Sequence, residues 1–197
     1  VAYCTTDDIK DYLRPNTAQA MGVGDDALIA RLITAAQKRI DRECGRTFEA
    51  VTATRRYHAL RDVCGRVLTL DADLLTVTAL TNGDGQVIPG SAYVLEPTNS
   101  PPYSQIVLKA GQGYVWQYTQ DPEEAIGLLG TWGYTATPEP DIVEACVRLA
   151  SFLYKRATNT GTDADRATVA PDGQILMPAR LPSDVREFLA PHKRKSF

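Results

Sequence analysis

The apolar residues of this chain change their spacing twice. From Ile29 to Cys44 they recur every three or four positions, from Ala50 to Tyr134 about every second position, and from Ile142 to Leu153 every three or four again. The first spacing puts apolar side chains on one face of a helix and the second on one face of a strand. The chain is therefore predicted to be α+β, with a small helical bundle drawn from both chain ends and an antiparallel β-domain inserted between them. The predicted divisions are 1–49 for the N-terminal bundle helices, 50–135 for the β-domain, 136–157 for a long C-terminal bundle helix, and 158–197 for a loop, a short helix and a basic tail.

Punctuation residues sharpen these limits. Thr5 and Asp8 have the spacing of a capping box ahead of Ile9, Tyr12 and Leu13, and Pro15 stops that short helix. Asn16 to Gly24 reads as a loop. Asp25 and Asp26 are placed to cap a second helix, whose inner stripe is Ile29, Leu32, Ile33, Ala36, Ile40 and Cys44, and Gly45 can end it. Pro138 and Pro140 suit the first turn of the third helix, where a missing N–H costs nothing. Ile142, Ala145, Cys146, Leu149, Ala150 and Leu153 form its apolar face. Ala157 to Arg180, rich in Thr, Asp, Gly and Pro, reads as a long loop with a turn at Asp172-Gly173. A last helix follows Leu181-Pro182-Ser183-Asp184, with Val185, Phe188 and Leu189 on one side and Pro191 at its end.

Short strands are predicted at Thr52 to His58, Arg66 to Leu70, Leu75 to Leu80, Val87-Ile88, Tyr93 to Leu95, Gln105 to Leu108, Tyr114 to Trp116 and Ile126 to Trp132. Asn82-Gly83-Asp84-Gly85 is a tight-hairpin signal. Trp132 is expected to be buried where the β-domain meets the long helix, with Gly130 and Gly133 permitting close backbone approach.

With 197 residues, 44% of them hydrophobic and 23% charged, the chain has ample material for a core. A net charge of −3 argues against a generic nucleic-acid binder. No apolar run approaches the length of a membrane span, and the first residues lack the pattern of a signal peptide. Cys4, Cys44, Cys64 and Cys146 show no zinc or CxxC spacing and read as free thiols, a disulfide between two of them being the alternative.

No pattern of residues specifies catalysis. The only histidines are His58 and His192. His58 with Asp62 or Cys64 is a conceivable nucleophilic arrangement that no spacing requires. Asp71-Ala72-Asp73 and Asp163-Ala164-Asp165 pair carboxylates, but Asp residues at strand ends and turns explain them as well. Asn82 to Gly85 lacks the remaining ligands of a calcium loop, and Gly111-Gln112-Gly113 lacks the strand–turn–helix context of a phosphate cradle. No catalytic residue, metal or cofactor is expected. Arg55-Arg56-Tyr57 and Lys193-Arg194-Lys195 are the basic clusters, each also explained as a solvated edge or tail.

Two stretches carry a family resemblance. The first holds Thr6-Asp7-Asp8-Ile9-Lys10-Asp11-Tyr12-Leu13, Leu32-Ile33-Thr34-Ala35-Ala36 and Ile40 to Phe48; the second holds Gly130-Thr131-Trp132-Gly133-Tyr134 and Pro140 to Cys146. Their order and spacing resemble tailed-phage head-tail connector proteins, the adaptor ring beneath the portal. The resemblance implies a structural virion protein of the neck, made in the host cytoplasm. It implies a dodecameric ring that binds the portal above and the next neck or tail protein below, and that lets phage DNA pass through its channel without specific binding. It marks Gly130, Trp132, Gly133 and Pro140 as structural. Position and composition add Phe188, Leu189, His192, Lys193, Arg194, Lys195 and Phe197 as candidate portal-binding residues. The alternative reading is a β-sandwich-like protein-binding module of a phage tail or baseplate.

Overall fold

The computed structural model describes residues 2–13, 25–158, 168–169, 175–176 and 181–194. Pro15, the loop 16–24, the Asp163/Asp165 pair, the Asp172-Gly173 turn, and Lys195 and Phe197 of the tail lie outside the described residues. The chain forms two compact units, one from Val1–Gly45 with Pro138–Phe197 and one from Arg46–Thr137. The architecture is α+β, as the two changes of period require.

The helical unit contains α1 (Thr6–Leu13), α2 (Asp26–Cys44), α3 (Pro140–Thr158) and α4 (Ser183–Leu189). A reciprocal capping box opens α1: the Thr5 N–H donates to Asp8 Oδ2 at 2.7 Å, and the Asp8 N–H donates to Thr5 Oγ1 at 3.2 Å. α2 buries Ile29, Ile33, Ala36, Ile40 and Cys44, and Gly45 closes it with its N–H on the Asp41 carbonyl. Its start departs from expectation, because Asp25 makes no side-chain cap bond. The Asp25 carboxylate lies instead by the Tyr154 hydroxyl; burial and this carboxylate both push that phenol upward. α3 buries Ile142, Ala145, Cys146, Val147, Leu149, Ala150, Ser151 and Tyr154, a wider face than the predicted stripe. The extra width follows from its position, since α3 packs against α1, α2 and α4.

In the β unit the sheet order is β1 (Val51–Tyr57), β6 (Ile126–Trp132), β3 (Val67–Thr81), β5 (Tyr103–Leu108) and β4 (Tyr93–Glu96), with β2 (Val63–Cys64) also paired to β3. All these pairs are antiparallel. β6 lies between β1 and β3, and Ile126, Leu128, Gly130 and Trp132 alternate into the core as a period of two demands. Leu68, Leu70, Leu74, Leu80, Ile106 and Leu108 belong to the same core, with Tyr57, Ala59, Ile88 and Ala92.

Three strand expectations change. The predicted segments Arg66–Leu70 and Leu75–Leu80 are one strand, β3, in which Asp71-Ala72-Asp73 is strand rather than turn. Shifts of register absorb the break, between Thr69 and Leu74 against β5 and at two further positions against β6. Val87-Ile88 provides only an isolated bridge, Thr81 to Val87, and Tyr114 to Trp116 is irregular chain. Side chains fix that irregular segment instead. Asn82 Nδ2 donates to the Val115 carbonyl at 2.8 Å, and Trp116 Nε1 donates to the Arg66 carbonyl at 2.9 Å. In the predicted late loop, β7 (Thr168–Val169) pairs antiparallel with β8 (Ile175–Leu176).

Candidate assembly surfaces

The last described segment of the chain is built into the helical unit. Val185 and Leu189 of α4 are fully buried. After α4 a 3₁₀ turn over Ala190–His192 carries the chain past Pro191, and His192 is itself buried. Its two ring nitrogens face the carboxylates of Glu139 and Asp141, at 3.7 and 3.8 Å, where α3 begins. Lys193 Nζ pairs with Glu43 Oε1 of α2 at 2.5 Å, and the Arg194 N–H donates to the Cys44 carbonyl at 2.8 Å. The Lys193 ammonium holds the Glu43 carboxyl below its usual range.

These contacts divide the candidate portal-binding residues. Leu189 and His192 are interior, so they serve packing in this unit. Phe188 is half-buried, with the Arg148 guanidinium 5.1 Å from its ring centre. Lys193 is exposed and Arg194 half-buried.

Arg148 was not among the predicted site residues, yet it ties α4 to α3. Its Nε donates to Glu144 Oε1 at 2.7 Å and its Nη1 to Asp184 Oδ2 at 2.9 Å. The Arg148 hydrogen bond draws the Asp184 carboxyl below the usual range. The i, i+4 pair Glu144–Arg148 was readable from the sequence; Asp184 is 36 residues further on, and only the fold brings it there.

Of the predicted structural residues, Gly130 and Trp132 lie in β6, Gly133 directly follows it, and Pro140 is the first residue of α3. Trp132 is 3% exposed; its Nε1 donates to the Ala53 carbonyl at 2.9 Å, and the Arg55 guanidinium lies 4.7 Å from its ring centre. A Cβ on Gly130 would come within 2.4 Å of the Thr76 carbonyl oxygen, so only glycine lets the irregular part of β3 pass so close. Gly133 has φ of +150°, and a Cβ there would lie 2.7 Å from the Glu49 carbonyl oxygen.

Beyond the core, the β unit exposes Val51, Leu60, Val87, Val115 and Tyr118. Three of these converge on the Asn82 hairpin. Val87 bridges Thr81, Tyr118 bridges Gly83, and Val115 gives its carbonyl to Asn82. Single exposed apolar residues are ordinary, whereas apolar residues gathered at one hairpin suit a protein contact.

The chemistry-bearing residues are committed to structure. His58 follows β1 rather than lying in it, and its Nδ1 accepts the Leu60 and Arg61 N–H groups. The Asp62 carboxylate accepts the His58 N–H. Asp71 accepts from the Tyr57 hydroxyl and from Arg55, while Asp73 is buried with Arg46 at 3.7 Å. An open cleft is lined by Arg56, Tyr57, Arg61, Asp62 and Asp71, where burial and Asp71 push the Tyr57 phenol upward. Among the described residues no group of three or more His, Cys, Asp or Glu could hold a metal ion. No described helix is long and apolar enough to cross a membrane.

No family model and no curated protein matches this sequence. Solved structures do match. A chain in the virion of a native gene transfer agent particle superposes with a TM-score of 0.63 and 20% identity, over 97% of this chain and 89% of that one. This is the fold of a gene transfer agent particle chain. A chain in the neck of the empty particle, computed with C6 symmetry, gives 0.60 and 21% over 97% and 89%. A chain in the neck of the native particle, computed with C12 symmetry, gives 0.57 and 18% over 97% and 88%.

Proposed function

We propose that this chain is a structural neck protein of a phage-like particle, a head-tail adaptor whose copies form a ring between the portal and the next neck or tail protein. The observation that carries the reading is the match to neck chains over 97% of this chain, which takes in the helical unit and the inserted sheet alike. The C12 symmetry of one matching neck supports a dodecamer. Subunit contacts in such a ring are heterologous and close on themselves. A net charge of −3 fits a channel through which DNA slides, because many Lys–phosphate contacts would grip it. The structural commitments of His58, Asp71 and Asp73 support a role without catalysis.

The portal-facing candidates are the side chains that are not buried, Phe188, Lys193 and Arg194, with Lys195 and Phe197 following in the sequence. The apolar side chains at the Asn82 hairpin are the candidates for contact with the next protein of the neck. Electron microscopy of particles containing this chain tests the reading. A twelve-fold ring at the portal is expected. Particles in which the chain sits elsewhere, as a monomer on the tail or baseplate, would refute the adaptor role and favour a protein-binding module.

A further inference from the structure

Three residues at the start of the chain are fixed from three directions. The Tyr3 hydroxyl donates to Asp41 of α2 at 2.5 Å, Thr5 caps α1, and between them the Cys4 Sγ lies 3.2 Å from the Cys146 Sγ of α3. Cys4 is 3% exposed and Cys146 is fully buried. The two thiols are 142 positions apart in sequence, so the fold alone pairs them. Neither belongs to the surfaces proposed for assembly.

We propose that Cys4 and Cys146 are a redox-responsive staple: a dithiol in a reducing medium that becomes a disulfide when the protein meets a small-molecule disulfide such as oxidised glutathione. A disulfide needs sulfurs about 2.05 Å apart, so closure from the present contact takes roughly an ångström of side-chain movement. Cys4 reacts first, because it keeps a small exposure of 3% whereas Cys146 is fully buried. Its thiolate attacks one glutathione sulfur, forms a mixed disulfide and releases one glutathione thiolate, which takes up a proton. Cys146 gives up its proton and attacks the Cys4 sulfur, releasing the second glutathione. The two cysteines are oxidised by two electrons, and one glutathione disulfide becomes two thiols. The hydrogen-bond contact with Cys4 and burial push the Cys146 thiol upward, which disfavours it as the first attacking sulfur.

The bridge joins the segment before α1 to α3 and closes a loop that contains α1, α2 and the whole β unit. Long closed loops restrict the unfolded chain most, so the oxidised form resists unfolding more than the dithiol. The inference goes beyond the adaptor reading and does not depend on it.

The test uses the full chain carrying Cys64→Ser, which removes the one exposed cysteine. Native protein is incubated in glutathione buffers of increasing oxidant ratio, quenched, alkylated under denaturing conditions and mapped by mass spectrometry. The expected product is a Cys4–Cys146 linked peptide two hydrogens lighter than the free pair, with Cys44 still alkylated. The denaturation midpoint should move to higher denaturant on oxidation and return with reductant. Cys4→Ser should abolish that shift, and Cys146→Ala provides the same comparison should the serine variant fold poorly. Alkylation of both Cys4 and Cys146 at full oxidant excess would overturn the proposal, and so would a link from Cys4 to Cys44.

Discussion

Trp132 shows what one side chain does for the sheet. It fills the core end of β6, donates its indole N–H to β1 and lies beneath the Arg55 guanidinium. Trp132→Ala should cost about 3–5 kcal/mol, read by denaturant titration, because neighbouring strands cannot collapse into the space left. The glycines of β6 give a cleaner comparison. Gly130→Ala forces a Cβ against the Thr76 carbonyl and should destabilise by about 1–3 kcal/mol. Gly127→Ala meets only the Thr81 Cβ at 3.9 Å, an ordinary contact, and should be neutral or stabilising by up to about 1 kcal/mol. Equal effects of the two variants would show that the close approach at Gly130 is unimportant. Gly130 and Gly133 were readable as places of close approach because they flank an aromatic in a short strand. Their partners were not: Thr76 lies at a register shift in β3, which leaves no local signature, and Glu49 is 84 positions from Gly133.

Among the elements, α4 and the segment that follows it are each held by an ion pair. Arg148 holds Asp184, and Lys193 holds Glu43, both carboxyls being drawn below their usual values. A carboxyl whose pKa is lower in the folded state adds stability above its unfolded pKa and loses it as pH falls through the folded one. The helical unit should therefore weaken below about pH 4. The effect is modest because both carboxylates are well exposed to solvent. Arg148→Met should flatten that acid dependence, measured as midpoint against pH; an unchanged profile would assign the acid sensitivity to other groups. The helices were legible from period and caps, down to Gly45 and the Thr5–Asp8 box. β3 was read as two strands because Asp71 and Asp73 look like strand ends, and only their partners Arg55, Tyr57 and Arg46 explain them inside one. Tyr114 to Trp116 alternates like a strand, yet Asn82 supplies the bonds a neighbouring strand would have made.

At the scale of the molecule, the α+β class was legible from the changes of period. The candidate docking tail was less legible, because position and charge placed Leu189 and His192 beside Lys193, whereas the fold buries the first two. This alters how the tail should be tested. Removing 195–197 leaves the described contacts of Lys193 and Arg194 in place and should still reduce the number of rings retained on portal-bearing heads. Each exposed ion pair contributes only about 0–1 kcal/mol, but a closed ring multiplies small losses through avidity. Full ring occupancy by the shortened chain, counted by microscopy, would remove the tail from the portal interface.

The division of the chain also has a consequence for its birth on the ribosome. The β unit is contiguous, from Arg46 to Thr137, and has all its strands as soon as Trp132 has left the exit tunnel. The helical unit is split, and α1 and α2 wait through the whole synthesis of the sheet before α3 and α4 emerge. Because units fold as wholes once their parts are present, the sheet is the first to form. Until α3 and α4 emerge, the apolar faces of α1 and α2 lack those partners, so a ribosome that stalls within the sheet leaves them open to chaperones and to aggregation. The helical unit can close only after α3 and α4 have been made.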